Sequence, residues 1–195
     1  MVMKMINYPN PSIKNAKTTR THTHGMLFEN ALNKSNEYYQ IHKRALIYKK
    51  PTPIQVVKVS YPERSKAKIT EGYYKTPSTT DYNGIYRGKY IDYEAKETNN
   101  LSFSFRHIFI HQIDHLVNVD KLGGIAFVII YFKRVNEVYI IDIKDFNRLY
   151  QESLKGGVKS IKLTDINDVG HLVNLRYTPP IDYLKTVDEL YFNEK

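Results

Sequence analysis

Tyr90-Ile91-Asp92-Tyr93-Glu94-Ala95-Lys96 reads as a β-strand with its chemistry on one face. Side chains alternate along a strand, so Asp92, Glu94 and Lys96 share a face while Ala95 points away. Lys96 then lies about 7 Å along from Glu94. Upstream stands Ser78-Thr79-Thr80-Asp81, and the Asn83-Gly84 pair between the two stretches predicts a hairpin turn that brings Asp81 to Glu94. A second turn signal follows at Arg87-Gly88. Carboxylates on adjacent strands can share a hard divalent cation such as magnesium. The Ala95 carbonyl is free to act as a further oxygen ligand. A lysine beside the cation can hold or activate an attacking water, or neutralise developing negative charge. These are the requirements for cutting a phosphodiester, although a solvated charged face gives the same acid-x-lysine spacing.

Outward from that strand the pattern alternates. Residues 26–41 predict a helix with Leu27, Phe28, Ala31, Leu32, Ser35, Tyr38 and Tyr39 on one face and Glu29 at its flank. Residues 45–48 read as a short strand. Residues 102–121 predict a helix ended by Gly123-Gly124, and residues 145–154 a helix closed by Gly156-Gly157. Between them, the apolar run 125–132 reads as a buried strand paired with 137–143 across Val135-Asn136. Residues 160–164 suggest a short strand and 182–192 a terminal helix. Helices interleaved with strands predict an α/β fold with a mixed sheet.

Residues 51–80 differ in texture. Pro51, Pro53, Pro62 and Pro77 punctuate them, and Lys58, Arg64, Lys66, Lys68 and Lys75 outnumber Glu63 and Glu71. Residues 56–59 and 66–69 predict the arms of a hairpin around 61–64. With few apolar residues it is expected to project rather than join the core. Residues 1–24 hold Lys4, Lys14, Lys17 and Arg20 with no acid and no apolar period, which predicts a flexible basic tail. The remainder, 25–195, reads as one domain.

The chain of 195 residues carries 29 basic against 20 acidic residues, a net charge of +9. Such a surface attracts polyanions. With no cysteine, disulfide frameworks, cysteine-zinc sites and thiol nucleophiles are excluded, and a reducing, cytoplasmic setting is expected. The longest apolar run, 125–132, is roughly a third of a membrane span, so no membrane association is expected. Seventeen tyrosines without tryptophan could stack on bases, but strand propensity accounts for most of them. His111 and His115 have the i, i+4 spacing of a zinc site. No third ligand lies nearby in sequence, so they read as polar helix-surface residues. Gly123-Gly124 lacks the following Lys-Ser/Thr of a phosphate-cradling loop.

Asp81 followed by Glu94-x-Lys96 matches the PD-(D/E)XK nuclease pattern. The wider wording is more specific. Lys49-Lys50-Pro51-Thr52-Pro53, Tyr61-Pro62-Glu63-Arg64-Ser65, Ser78-Thr79-Thr80-Asp81-Tyr82-Asn83-Gly84 and Tyr90-Ile91-Asp92-Tyr93-Glu94-Ala95-Lys96-Glu97-Thr98 closely resemble the RecU family of Holliday-junction resolvases. The likeness continues through His111-Gln112-Ile113-Asp114-His115, Gly124-Ile125-Ala126-Phe127-Val128-Ile129-Ile130 and Pro180-Ile181-Asp182-Tyr183.

The resemblance implies a PD-(D/E)XK core with a mixed sheet flanked by helices, and a protruding basic β-hairpin stalk at residues 51–80. It implies a homodimer that nicks opposed strands of a four-way DNA junction in recombination and repair. It also implies partnership with a strand-exchange recombinase, whose activity the protein modulates, and with a branch-migration motor. Asp81 and Glu94 would be Mg2+ ligands and Lys96 the catalytic lysine. Thr79, Gln112 and Glu29 would complete the metal site. Arg64, with Lys66, Lys68 and Lys75, would contact DNA. The chain departs from the family where His24 replaces an arginine, and in 103–110, where Phe109 replaces a histidine. Three other readings are weaker: a non-enzymatic DNA-binding module would be favoured by a lost carboxylate, yet Asp81, Glu94 and Lys96 are all present; the stalk argues against a PD-(D/E)XK nuclease of another substrate; and a structural basic protein would leave the paired carboxylates unexplained.

Overall fold

The computed structural model of the chain describes residues 23–62, 66–74 and 79–192. Arg64, Lys75 and residues 1–22 of the expected tail lie outside the described residues. Thr23 and His24, also assigned to that tail, are already helical backbone.

The first helix, α1 (Thr23–Ile41), leads into β1 (Ala45–Lys49). Two strands, β2 (Ile54–Ser60) and β3 (Lys68–Tyr74), then form a separate antiparallel ribbon. The chain returns through β4 (Tyr82–Tyr86), β5 (Lys89–Thr98) and the short β6 (Ser102–Ser104). A 3-10 turn at Phe105–His107 precedes α2 (Ile110–Lys121), which is followed by β7 (Ile125–Phe132) and β8 (Glu137–Asp142). The remainder is α3 (Ile143–Leu154), β9 (Ser160–Lys162), β10 (Gly170–Val173) and α4 (Tyr183–Tyr191).

The main sheet has six strands in the order β1-β4-β5-β7-β8-β10. Only β5 and β7 run parallel, with Glu94 opposite Val128. Their crossover carries α2 onto the sheet, as a parallel pair requires. Helices cover both faces, and this explains the unbroken apolar run of β7, which is buried on each side. Phe28, Leu32 and Tyr39 of α1 and Leu184 and Val187 of α4 pack against Ile91, Tyr93, Ile125, Phe127 and Ile129. Ile113, Leu116 and Val119 of α2 and Phe146 of α3 pack against Ala126, Val128 and Ile130 on the other face. This is the mixed α/β sheet flanked by helices that the alternating pattern predicted.

The partition fixes the face of every β5 side chain. Odd positions turn toward α1 and α4, and even positions, Asp92 and Glu94 among them, turn toward α2. Several tyrosines are core residues. The rings of Tyr82, Tyr93 and Phe127 stack at 4.9 Å between successive centroids. Asn36 donates to the Tyr93 hydroxyl at 3.2 Å, and Tyr183 donates to Asn36 at 2.5 Å.

Two expectations fail for physical reasons, and one strand carries too little pattern to be expected at all. Asn83-Gly84 is not a turn but lies within β4, with Gly84 paired both to Ile47 and to Ile91. A Cβ on Gly84 would sit 1.9 Å from the Leu46 carbonyl oxygen, so the glycine serves close backbone approach. The hairpin turns instead at Arg87-Gly88, where both residues have positive φ (48° and 77°) and Tyr86 pairs with Lys89. Residues 102–121 are not one helix. Their first part pairs with β9 and then makes the 3-10 turn capped by Ser104, whose Oγ accepts from the Arg106 N–H. Finally, β10 went unread, because a four-residue strand with two exposed positions carries almost no pattern.

The ribbon arms are longer than expected, pairing Ile54 with Tyr74 and Ser60 with Lys68. They also leave Ile54, Val56, Val57, Ile69, Tyr73 and Tyr74 exposed, more apolar surface than the expected arms implied.

Candidate active site

On one side β5 outruns its neighbour. Pairing with β4 ends at Tyr82 opposite Tyr93, so the β5 edge beyond Tyr93 has no strand there. Asp81, one residue before β4, fills the gap, its Oδ2 accepting the Ala95 N–H at 3.0 Å. A strand residue points its N–H and C=O to the same side, so the Ala95 carbonyl faces this edge too.

Glu94 is fully buried. Its Oε1 accepts from Lys96 Nζ at 2.6 Å and from Gln112 Nε2 at 2.7 Å. Among the buried side-chain polar atoms of the described residues, only its Oε2 and Glu97 Oε2 have no hydrogen-bond partner. Burial, and then the charge of Asp81, push the Glu94 carboxyl up to about 7, with Lys96 pulling it the other way. Two adjacent carboxylates disfavour double ionisation unless a cation joins them. A buried carboxylate oxygen without a donor is the atom such a cation would satisfy.

Above this floor lies a cleft of about 520 Å³, lined by Glu29, Asp81 and Lys96 together with Lys49, Arg106 and His107. The sequence-derived set is brought together in part. Asp81, Glu94, Lys96 and Gln112 form one contiguous group. Gln112 meets Glu94 through its amide nitrogen, while its oxygen accepts the Phe109 N–H at 3.1 Å. Glu29 lines the cleft but pairs with Lys49 at 2.5 Å. Thr79 is exposed and accepts from Lys50 Nζ at 3.1 Å. Lys66 and Lys68 are exposed, Lys68 at the start of β3.

Some residues the sequence did not single out are also here. Arg106 and His107 reach the cleft because the 3-10 turn replaces the start of the expected helix. Beside Glu94, the fully buried Asp92 accepts from Lys50 Nζ (2.7 Å), Tyr90 Oη (2.8 Å) and Thr80 Oγ1, and His115 Nε2 lies 2.9 Å from it. Alternation placed Asp92 on the face of Glu94, but its partners come from distant segments. His111 and His115 do not act together: His111 stacks on Phe109 (centroids 5.6 Å apart, planes 9° apart), while His115 turns to Asp92.

Among the described residues no three of His, Cys, Asp and Glu cluster as a metal cage. The oxygen donors gathered at this edge are two carboxylates and a strand carbonyl. That all-oxygen set suits magnesium, which keeps several waters and binds through one or two carboxylates. Among the described residues, no helix is long and apolar enough to cross a membrane.

Comparison with known proteins relates the chain to one family. A family model described as Recombination protein U matches residues 23–189. A protein of Geobacillus sp. (strain WCH70) named Holliday junction resolvase RecU is 50% identical over 170 residues, covering 87% of this chain and 85% of the relative. A protein of the same name from Bacillus cereus (strain G9842) is 46% identical over 198 residues, covering 96% and 99%. Among solved structures, the Archaeoglobus fulgidus Holliday junction resolvase Hjc matches at 15% identity and a TM-score of 0.37, covering 62% of this chain and 78% of that one.

Proposed function

The chain belongs to the RecU family, and on that membership we propose that it is a Holliday junction resolvase, a crossover junction endodeoxyribonuclease of recombination and repair. The observation that carries the chemistry is the half-buried Asp81 beside the fully buried Glu94, whose Oε2 is unpartnered and whose Oε1 meets the Lys96 ammonium.

Asp81, Glu94 and the Ala95 carbonyl would hold Mg2+, with Thr79, Gln112 and Glu29 completing the site. When bound, Mg2+ supplies positive charge to the scissile phosphate and its attacking water. Asp81, anchored on the Ala95 N–H, lines the cleft. Gln112 orients Glu94. Lys96, partly exposed to the cleft, holds the attacking water or neutralises charge developing on the phosphate. In-line hydrolysis on two opposed strands leaves 5′-phosphates and ligatable nicks.

The fold in this reading is a PD-(D/E)XK core at 25–195, with the β2–β3 ribbon as a stalk within 51–80 and a basic tail at 1–24. An isolated two-stranded ribbon is marginally stable in water, so its exposed apolar residues favour a role against a partner surface. The stalk enters the open centre of the junction, with Arg64, Lys66, Lys68 and Lys75 on DNA. Two copies act as a homodimer, one per nicked strand, in the cytoplasm. A strand-exchange recombinase, which the protein modulates, and a branch-migration motor are its protein partners.

The test is a synthetic four-way junction and a linear duplex of the same sequence, each incubated with magnesium or EDTA and resolved on a denaturing gel. Paired symmetric nicks in the junction alone, dependent on magnesium, are expected. Tight junction binding without cleavage under any divalent metal would leave an architectural role instead.

A further inference from the structure

Lys50 occupies a position that the cleavage chemistry does not use. Its backbone N–H donates to the Asp81 carbonyl at 2.8 Å. Its ammonium donates to Thr79 Oγ1 at 3.1 Å, to Asp92 Oδ2 at 2.7 Å and to Thr80 Oγ1. An ammonium has three protons to donate, so each of them has an acceptor. Lys50 therefore grips residues 79, 80 and 81 in turn. It also stands where the chain leaves for the ribbon at Pro51, while Thr79 stands on the return, so one side chain ties both legs together beside the cleft.

Asp92 is the socket of this grip. Its Oδ2 meets Lys50, Tyr90 and His115, and its Oδ1 meets Thr80. An ionised carboxylate only accepts, so His115 Nε2 carries the proton between them. Asp92 has no oxygen left for a cation, in contrast to Glu94, two residues along the same face.

We propose that Lys50 is a positioning residue for the metal site: seated on the Asp92 socket, it fixes the Thr79–Thr80–Asp81 segment so that Asp81 is held opposite Glu94 for cation binding. This rests on reading Asp81 and Glu94 as the metal pair. Groups that orient a ligand from behind change metal affinity by about 10-fold to 100-fold when removed.

The test uses the full chain with Lys50→Met, Lys50→Arg and, as reference, Asp81→Asn. Magnesium binding is measured by titration calorimetry, half-saturating magnesium by junction cleavage, and junction affinity by gel shift in EDTA. Lys50→Met is expected to weaken magnesium binding about 10-fold or more. Its junction affinity in EDTA should stay within about threefold, since Lys50 is spent on protein acceptors. Lys50→Arg should recover most of the loss. If circular dichroism shows Lys50→Met unfolded because Asp92 is left unpaired, the double variant Lys50→Met/Asp92→Asn is read the same way. A lower melting temperature with unchanged magnesium affinity would make Lys50 merely structural and overturn the proposal. Asp81→Asn impaired beside a normal Lys50→Met overturns the clamp and leaves the metal pair standing. Unchanged magnesium binding in Asp81→Asn overturns the metal pair and the clamp together.

Discussion

Replacing Glu94 with glutamine should make the metal-free protein more stable at alkaline pH while abolishing cleavage. The Glu94 carboxyl titrates at about 7 in the fold against an ordinary value of 4.5. A gap of that size corresponds to about 3 kcal/mol, already net of the opposing Lys96 ion pair. The raised value means that the folded state keeps its proton longer than the unfolded state. Glu94 therefore contributes stability that is fully present below about pH 4.5 and is lost as pH rises through about 7. A glutamine never ionises and removes this dependence. In EDTA at pH 8, Glu94→Gln should unfold in urea with up to about 3 kcal/mol more stability than wild type, a melting shift of roughly 6–12 °C in a domain of this size. At pH 5 the difference should shrink to under about 1 kcal/mol. Magnesium at about a thousand times its Kd should reverse the order at pH 8, because it would bind the native carboxylate and add about 4.1 kcal/mol. Urea curves at the two pH values, with EDTA or magnesium, supply all four comparisons. Identical pH dependence in wild type and variant would refute the assignment of a strained, buried carboxylate at Glu94.

Other consequences follow from the same geometry. Asp81→Asn keeps an oxygen for the Ala95 N–H, so junction affinity in EDTA should hold while cleavage falls by about 10³-fold or more, given the several kcal/mol a bound cation supplies; loss of both would make Asp81 structural. Glu94 must ionise to take a cation, so half-saturating magnesium should rise about tenfold for each pH unit below about 7 and level off above 8. Gly84→Ala would drive a methyl into the Leu46 carbonyl, so urea unfolding should show a loss of about 3 kcal/mol or more, and a loss below about 1 kcal/mol would contradict the close approach. Junction affinity by gel shift should fall by about 10³-fold between 50 and 200 mM salt if six or more phosphates are neutralised, and a flat response would contradict backbone contacts.

The carboxylates and the lysine were legible because strand alternation is a local rule. Glu94 and Lys96 share a face wherever the strand lies, and β5 and β7 announce themselves by length and apolar content. What the local rule could not supply is pairing. Asn83-Gly84 has the residues of a turn, yet Gly84 is needed where β1 passes too close for any side chain. The true turn at Arg87-Gly88 is the weaker signal by composition. The apolar spacing of residues 102–121 fits a helix, but Phe103 pairs with Ile161 almost sixty residues away, and that contact outweighs the local preference. For the same reason Arg106 and His107 were not assigned to the cleft. Asp92 was seen on the correct face, but of its partners only Tyr90 is on β5; Lys50 just after β1, Thr80 before β4 and His115 on α2 are brought to it by the folded chain.

Asp92 and Glu94 show how one strand face can carry two carboxylates in opposite surroundings. They are the same chemical group two residues apart, and both are fully buried. Asp92 is saturated by a lysine, a hydroxyl from each of Thr80 and Tyr90, and a histidine, so its charge is compensated within the protein. Glu94 meets one ammonium and one amide on a single oxygen, and the other oxygen is left without a donor. Adding a donor to Glu94 Oε2 would stabilise the metal-free fold and remove the reason for a cation to bind. Removing Lys50 would leave only two hydroxyls and His115 to compensate the fully buried Asp92. Burying a charge that the protein only half compensates costs stability, and under the proposed function that cost is what a bound cation would relieve.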